Sequence, residues 1–312
     1  MLQSAEFKTV IDVVLRFPTE KSCHQYLASR RWSDGVIVCP HEGCGSEMAY
    51  VFKDGIRYKC QSCKKIFTAK TGTMMEASKI ATIKWFIGIY LSLHKKGISS
   101  IQLSKDLGIT QKTAWFILQR IRAVFGNEEK ELLDGTIELD ETFYGGKNKN
   151  RHYSRRVKYR EETGRAYPDK VPVFGMYNRD TRKVRAYAIS RGELKHISRE
   201  ITYNINFSSI LMTDDWTGYK GIDKIYKRHS IEHSKWTYVD GEVTTNRIEN
   251  FWSHFKRGMH STYIRVTPKH LNKYVQEFVF RFNNRDLNVQ QQIEQVINNM
   301  QCRLKYKDLI AT

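Results

Sequence analysis

Four of the six cysteines stand in two close pairs, and that spacing constrains the chain more than any other feature. Cys39 and Cys44 enclose Pro-His-Glu-Gly, and Cys60 and Cys63 enclose Gln-Ser. Between the pairs, Tyr50, Phe52, Ile56 and Tyr58 alternate around Asp54-Gly55, the pattern of a hairpin. Two cysteine knuckles at the ends of a hairpin bring four thiolates around one tetrahedral point, a zinc-ribbon arrangement. In a reducing compartment, clustered pairs signal metal rather than disulfides. Cys39, Cys44, Cys60 and Cys63 are therefore the expected ligands of one structural Zn2+. In so small a unit the metal supplies much of the folding energy. His41 lies inside the longer first knuckle, and its role stays open because four thiolates already complete the site. Four buried free cysteines are the alternative, and the paired spacing speaks against it. Cys23 and Cys302 read as ordinary small apolar residues.

The chain has 312 residues, enough for two or three domains, and 40% of them are hydrophobic, which excludes a disordered polymer. It carries 52 Lys plus Arg against 33 Asp plus Glu, a net charge of +19. On a folded chain such an excess points to a polyanionic partner, with nucleic acid the first candidate; solubility or a membrane surface is the bland alternative. No signal-peptide pattern opens the sequence. The most apolar stretch, Trp85 to Leu93, is far shorter than the roughly 20 residues of a membrane span. The expected location is cytoplasmic, with the nucleoid, and no membrane partner is expected.

After the cysteines, Ser78 to His94 shows helical apolar spacing and Gly97 ends it. Ser99 can cap a second helix bearing Ile101, Leu103 and Leu107, Gly108 allows a tight turn, and Thr110 can cap a third helix. Helix, Gly-centred turn and longer helix make a helix-turn-helix candidate. Its third helix is expected to present Gln111, Lys112, Trp115, Gln119 and Arg120 outward, toward phosphates or bases. A merely structural three-helix bundle is the competing reading.

Beyond Gly126 the pattern turns mixed. Thr136 to Thr142 reads as a strand ending in carboxylates, Val171 to Tyr177 and Val184 to Ile189 as hairpin strands, and Gly192 to Tyr203 as a helix. Ile210 to Thr213 is a short buried strand that runs into Asp214-Asp215, and Ile225 to Ile231 is another strand candidate. Thr245 to Arg257 is a helix burying Ile248, Phe251, Trp252 and Phe255, and Pro268 opens a last long helix. Carboxylates at two neighbouring strand ends plus one on a covering helix can chelate two magnesium ions, and such pairs suit in-line phosphoryl displacement. Asn246, Glu249, Ser253 and Lys256 share one helical face. Glu138 shares a strand side with Asp140, whereas Glu141 points the other way, so periodicity alone does not choose Asp140 over Glu138.

Three segments together carry a resemblance: Ile-Glu-Leu-Asp140-Glu-Thr-Phe-Tyr-Gly-Gly-Lys, Met-Thr-Asp214-Asp-Trp-Thr-Gly-Tyr and Thr-Asn-Arg-Ile-Glu249-Asn-Phe-Trp-Ser-His-Phe-Lys256-Arg-Gly. With the Arg-Arg-Trp-Ser-Asp-Gly segment before Cys39, Thr71-Gly-Thr, and Tyr274 to Arg285, the chain resembles bacterial insertion-sequence transposases over nearly its whole length. The group it resembles has an N-terminal zinc ribbon and a DDE catalytic domain with a signature lysine. Two departures stand out. Asp215 occupies a place where such proteins often carry Glu, and Ser261 follows His260 where a glycine-bearing turn is common.

The resemblance implies a multi-domain chain of mixed α+β and α/β class. Residues 1–75 would hold the N-terminal segment and zinc ribbon, 76–130 the helix-turn-helix region, and 131–312 a ribonuclease H-like catalytic domain with a mixed sheet and flanking helices. It implies metal-dependent cleavage at terminal inverted repeats and transfer of the freed 3′-hydroxyl into target DNA. Asp140, Asp214 and Glu249 would bind two Mg2+ (or Mn2+), with Lys256 as the accompanying basic catalytic residue. DNA would meet Gln111, Lys112, Arg120 and Arg257, together with Lys147, Lys149, Arg151, Arg155 and Arg156. The last five belong to a basic insertion, residues 147–170, holding nine Lys or Arg. The partners would be transposon ends, target DNA and further copies of the chain in a synaptic complex. The alternatives are a structure-specific nuclease of the same fold and a non-catalytic DNA-binding regulator derived from a transposase.

Overall fold

The computed structural model describes residues 8–126, 131–146, 152–154, 157, 170–231 and 244–311. Lys147, Lys149, Arg151, Arg155 and Arg156 of the basic insertion lie outside the described residues. The chain divides into two compact units: Met1–Glu128 with Gly258–Ile264 and Asn284–Thr312, and Glu129–Arg257 with Arg265–Asn283.

The first unit opens with two helices that the sequence reading passed over, α1 (Val10–Arg16) and α2 (Glu20–Arg31). Each starts at a threonine, Thr9 and Thr19, whose hydroxyl accepts from the amide three residues on. The ribbon follows as an antiparallel sheet of β1 (Ala49–Val51), β2 (Arg57–Cys60) and β3 (Ile66–Thr68), in that order. Tyr58 and Phe67 pair across β2 and β3, and Trp32 lies edge-on against both, with ring centroids 5.1 and 6.1 Å away. These three rings form an apolar backing for the ribbon. Next come α3 (Thr82–Ser92), α4 (Ser100–Leu107) and α5 (Gln111–Phe125). Ser99 and Thr110 cap α4 and α5, and Gly108 adopts the left-handed conformation that glycine reaches without strain.

The second unit is a five-stranded mixed sheet covered by helices. Its strands are β4 (Thr136–Tyr144), β5 (Val171–Asn178), β6 (Lys183–Ala188), β7 (Ile210–Asp214) and β8 (Lys227–Ile231), in the order β6-β5-β4-β7-β8. β5 is antiparallel to β4 and β6, while β7 runs parallel to both β4 and β8. The segment between β6 and β7 forms α6 (Arg191–Lys195) and α7 (Ile197–Asn204). One sheet face packs Ile137, Leu139, Phe174 and Leu211 against Leu194, Ile197 and Ile201 of those helices. The other face carries α8 (Asn246–Gly258) and α9 (Pro268–Asn283), whose Phe251 and Phe282 meet at a centroid distance of 5.4 Å. After α8 the chain makes a π-helical turn, Met259–Tyr263, where the sequence departs from the usual glycine-bearing turn.

Residues 284–312, assigned on sequence to the catalytic segment, pack instead in the first unit. They form α10 (Val289–Asn298) and α11 (Tyr306–Ile310), and α10 buries Ile293, Val296 and Ile297. Arg30 of α2 hydrogen-bonds Glu294, and the Met74 amide donates to Met300 O at 2.9 Å. Among the described residues, no helix is long and apolar enough to cross a membrane.

Candidate active site and metal centre

The thiolates of the ribbon are the tightest ligand group. Among the described residues, the sulfurs of Cys39, Cys44, Cys60 and Cys63 all lie within 4.8 Å of one another. Cys39–Cys63 and Cys44–Cys60 are 3.7 and 3.6 Å apart, far too long for disulfides. They match the edge of about 3.8 Å that a tetrahedron with Zn–S bonds of about 2.3 Å requires. The Cys63 amide donates to Cys60 Sγ at 3.4 Å, and that contact is the main reason the Cys60 thiol is held down to about 6, toward the thiolate a metal needs. His41 Nδ1 lies 3.2 Å from Cys39 Sγ and 3.9 Å from Cys63 Sγ, beside the sulfurs. The donor set fits one structural zinc ion, with Cys39, Cys44, Cys60 and Cys63 as its ligands.

The carboxylates of the second unit gather where β7 ends beside the middle of β4. Ile137 pairs with Leu211 and Glu138 with Met212 in parallel register; Asp214 is the last residue of β7, and its charge acts on Asp140, two residues beyond that pairing on β4. On its other edge, Asp140 pairs with Gly175 of β5. A Cβ at Gly175 would lie 2.5 Å from Trp252 and 3.0 Å from Ile248. The missing side chain is thus the seat of α8, which lies close against the sheet directly across from Asp140. Ile248, Phe251, Trp252 and Phe255 form the buried stripe of α8. Burial of each is worth about 1.5–3 kcal/mol, enough to fix which way the helix faces. Asn246, Glu249, Ser253 and Lys256 are all exposed outside that stripe, with Glu249 on its flank next to Ile248, and so is Arg257, whose Nε donates to Ser253 O. Glu249 Oε1 accepts from the Thr245 hydroxyl at 3.0 Å.

The charges at this corner interact. Burial pushes Asp140 up to about 7. The Glu141 amide, donating to Asp140 Oδ1 at 2.9 Å, pulls it down, and the charges of Asp214 and Glu249 push it up again. The Trp252 indole N–H also steadies the Asp140 anion, although it lacks a full hydrogen-bond partner. Glu141 is also raised to about 7, by burial first and then by Asp140, and Tyr219 donates to it at 3.0 Å from the other side of the strand. Asp214 Oδ1 accepts the Trp216 amide at 3.1 Å. Arg228 of β8 holds the end of β7 by donating to Thr213 Oγ1 and Asp214 O. Asp215 is exposed.

Glu138 differs from its neighbours. It is fully buried, Oε1 accepts from Arg179 Nε at 2.8 Å, and Oε2 accepts from the amides of Arg247 and Ile248 at 3.0 and 3.1 Å. Both oxygens are occupied beside a guanidinium, so Glu138 is not open to a cation. The sequence reading missed this role and that of Gly175. A lone glycine inside an apolar strand was the available signal for the latter.

Helix α5 corrects one expectation. Gln111 and Lys112 are exposed at its N-terminus, and Lys112 lies 5.2 Å from the ring of Tyr306. Gln119 and Arg120 are buried. Arg120 donates to the carbonyls of Met74, Glu76 and Leu304 and so ties two distant chain segments together. Arg120 is therefore a structural bolt, closed off by residues 300–306, and does not face DNA.

Residues 132–283 match the ISXO2-like transposase domain, and residues 18–66 match the transposase zinc-ribbon domain. The first match begins and ends close to the limits of the second unit. The chain belongs to the insertion-sequence transposases that join a zinc ribbon to a DDE-type transposase domain. A similar protein from Halobacterium salinarum (strain ATCC 700922 / JCM 11081 / NRC-1), described as an uncharacterized protein in transposable element ISH50, is 28% identical over 276 residues. That alignment covers 85% of this chain and 91% of the relative.

Proposed function

We propose that this transposase cuts DNA at the terminal inverted repeats of its element and joins the freed 3′-hydroxyl to target DNA. The observation that carries the reading is that the charges of Asp214 and Glu249 both act on Asp140. Two of these acids come from parallel neighbouring strands and one from the helix seated on Gly175. Their mutual repulsion, felt by Asp140, is what a divalent cation relieves. Asp140, Asp214 and Glu249 would hold two Mg2+ (or Mn2+), which would supply the positive charge needed to activate the attacking water or 3′-hydroxyl and to stabilise the leaving oxygen.

The strand order, with β5 antiparallel and β7 and β8 parallel to β4, supports a ribonuclease H-like core. Lys256 lies two helical turns beyond Glu249 on the same exposed face and neutralises phosphate next to the scissile bond. Arg257 extends that path. Helices α4 and α5, joined at Gly108, act as a helix-turn-helix whose first exposed turn, Gln111 and Lys112, meets the end DNA. The open face of the ribbon, where Tyr50, Lys59 and Ile66 form one row across three strands, adds a second contact. Lys147, Lys149, Arg151, Arg155 and Arg156 grip the same duplex. Synapsis of two ends is the work of more than one copy.

The test uses a plasmid target and a labelled duplex carrying the end of the encoding element, supplied both intact and pre-cut. Wild-type protein cuts the first and joins the second in Mg2+. Asp140→Ala loses both activities and keeps end binding. Strand transfer by Asp140→Ala at the wild-type rate overturns the assignment. Cutting without joining, on the pre-cut duplex, turns the reading into a nuclease.

A further inference from the structure

We infer that Glu138 is a positioning residue that, with Arg179, clamps the start of α8 to β4 and thereby sets where Glu249 stands relative to Asp140. The inference rests on the reading of Asp140, Asp214 and Glu249 as metal ligands.

The first amides of any helix have no partner within it. In α8 two of these, on Arg247 and Ile248, donate to the same carboxylate oxygen, Glu138 Oε2. The carboxylate therefore does the work of an N-cap, from a strand rather than from the preceding residue, and its negative charge suits the positive end of the helix. Its other oxygen holds Arg179, and Arg179 Nη2 reaches back to Thr244 O at 2.6 Å, just before the helix. The start of α8 is gripped by one acid and one base at successive points.

The location makes this more than a helix cap. Glu138 stands two residues before Asp140, so both side chains leave the same side of β4. It is paired on both sides, with Tyr177 of β5 and Met212 of β7, in the middle of the sheet. Glu249 follows directly after Ile248, whose amide Glu138 holds. From Asp140 to Glu249 the connection thus runs through one strand step, one carboxylate and one residue of helix. Gly175 and Trp252 fix how closely α8 approaches the sheet, while Glu138 fixes its sliding and rotation along that seat. A buried carboxylate is tolerated only with such a full set of donors.

The experiment measures Mn2+ binding to the full-length chain by titration calorimetry, without DNA, for wild type, Glu138→Gln and Arg179→Gln. Asp140→Asn serves as the control. Glutamine keeps the size of Glu138 but has one accepting oxygen, so its NH2 is set either against Arg179 or against the Arg247 and Ile248 amides, and one side of the clamp is lost. A tenfold or greater loss of Mn2+ affinity is expected for Glu138→Gln, the range typical of residues that orient metal ligands. Cleavage of end DNA should recover toward the wild-type rate when Mn2+ is raised, because the ligands themselves remain. A purely structural carboxylate would lower the melting temperature and leave the Mn2+ affinity of the folded protein within twofold of wild type, which overturns the inference. If Glu138→Gln does not fold, Arg179→Gln decides by the same two criteria. Should Asp140→Asn bind Mn2+ as wild type does, the metal reading fails, whatever Glu138 does.

Discussion

Asp140 titrates near 7 in the folded, metal-free chain, against 3.8 for an ordinary aspartate. The folded state keeps a proton that the unfolded chain releases. The stability linked to this group is therefore complete below about 4 and is lost as pH rises through 7. Asp140→Asn removes that loss. In metal-free buffer at pH 8 the variant should melt higher than wild type by roughly 3 °C or more, with the gap narrowing toward pH 5. Equal melting curves at pH 8 would show that neither burial nor the neighbouring acids raise Asp140 in the folded chain. The residue scale is also where the sequence was least decisive. Glu138 and Asp140 alternate alike, and only contacts from residues 179 and 247–248, far along the chain, separate a buried cap from an acid open to a cation. Arg120 misled for the same reason. A polar residue on an amphipathic helix reads as solvated until a distant segment, Leu304 among it, is seen to cover it.

At the scale of elements, the helices and strands follow their local signals closely. Ser99 and Thr110 cap where capping residues precede apolar periodicity, and β5 and β7 are apolar runs. What local pattern does not reveal is docking. Gly175 looks like a weak point in a strand, yet it is where α8 lands. Gly175→Ala should cost about 1–3 kcal/mol, read by denaturant unfolding, because Trp252 cannot retreat without leaving the buried stripe. It should also cut strand transfer more than end binding. Unchanged transfer would mean that α8 tolerates a shifted seat. The ribbon makes its own prediction. Chelation should release about one zinc per chain and abolish the near-UV dichroism of the Trp32, Tyr58 and Phe67 cluster, since little else holds three short strands together. Retention of that signal without zinc would refute a structural metal.

On the scale of the whole molecule, the +19 charge is the quantity to test. Affinity for end DNA should fall steeply with salt, by a log–log slope of about 0.9 for each phosphate neutralised. Lys112→Gln should lower that slope by about 1, whereas Arg120→Gln should lower stability and leave the slope alone. A slope near zero for wild type would disconnect the charge from DNA. The family and the mixed sheet were legible because their motifs are contiguous words. The division into units was not, because it depends on where residues 284–312 return.

That return has a consequence for how the protein comes into being. The ribosome releases the N-terminal part of the first unit, Met1–Glu128, first, then the transposase domain, and only afterwards the segment carrying Glu294, Met300 and Leu304. The Met74 amide, Arg30 and Arg120 wait for those partners until then. Domains otherwise tend to fold in order of synthesis. Here the unit begun first is finished last, because its contacts with Glu294, Met300 and Leu304 can close only after the whole of the second unit has been made.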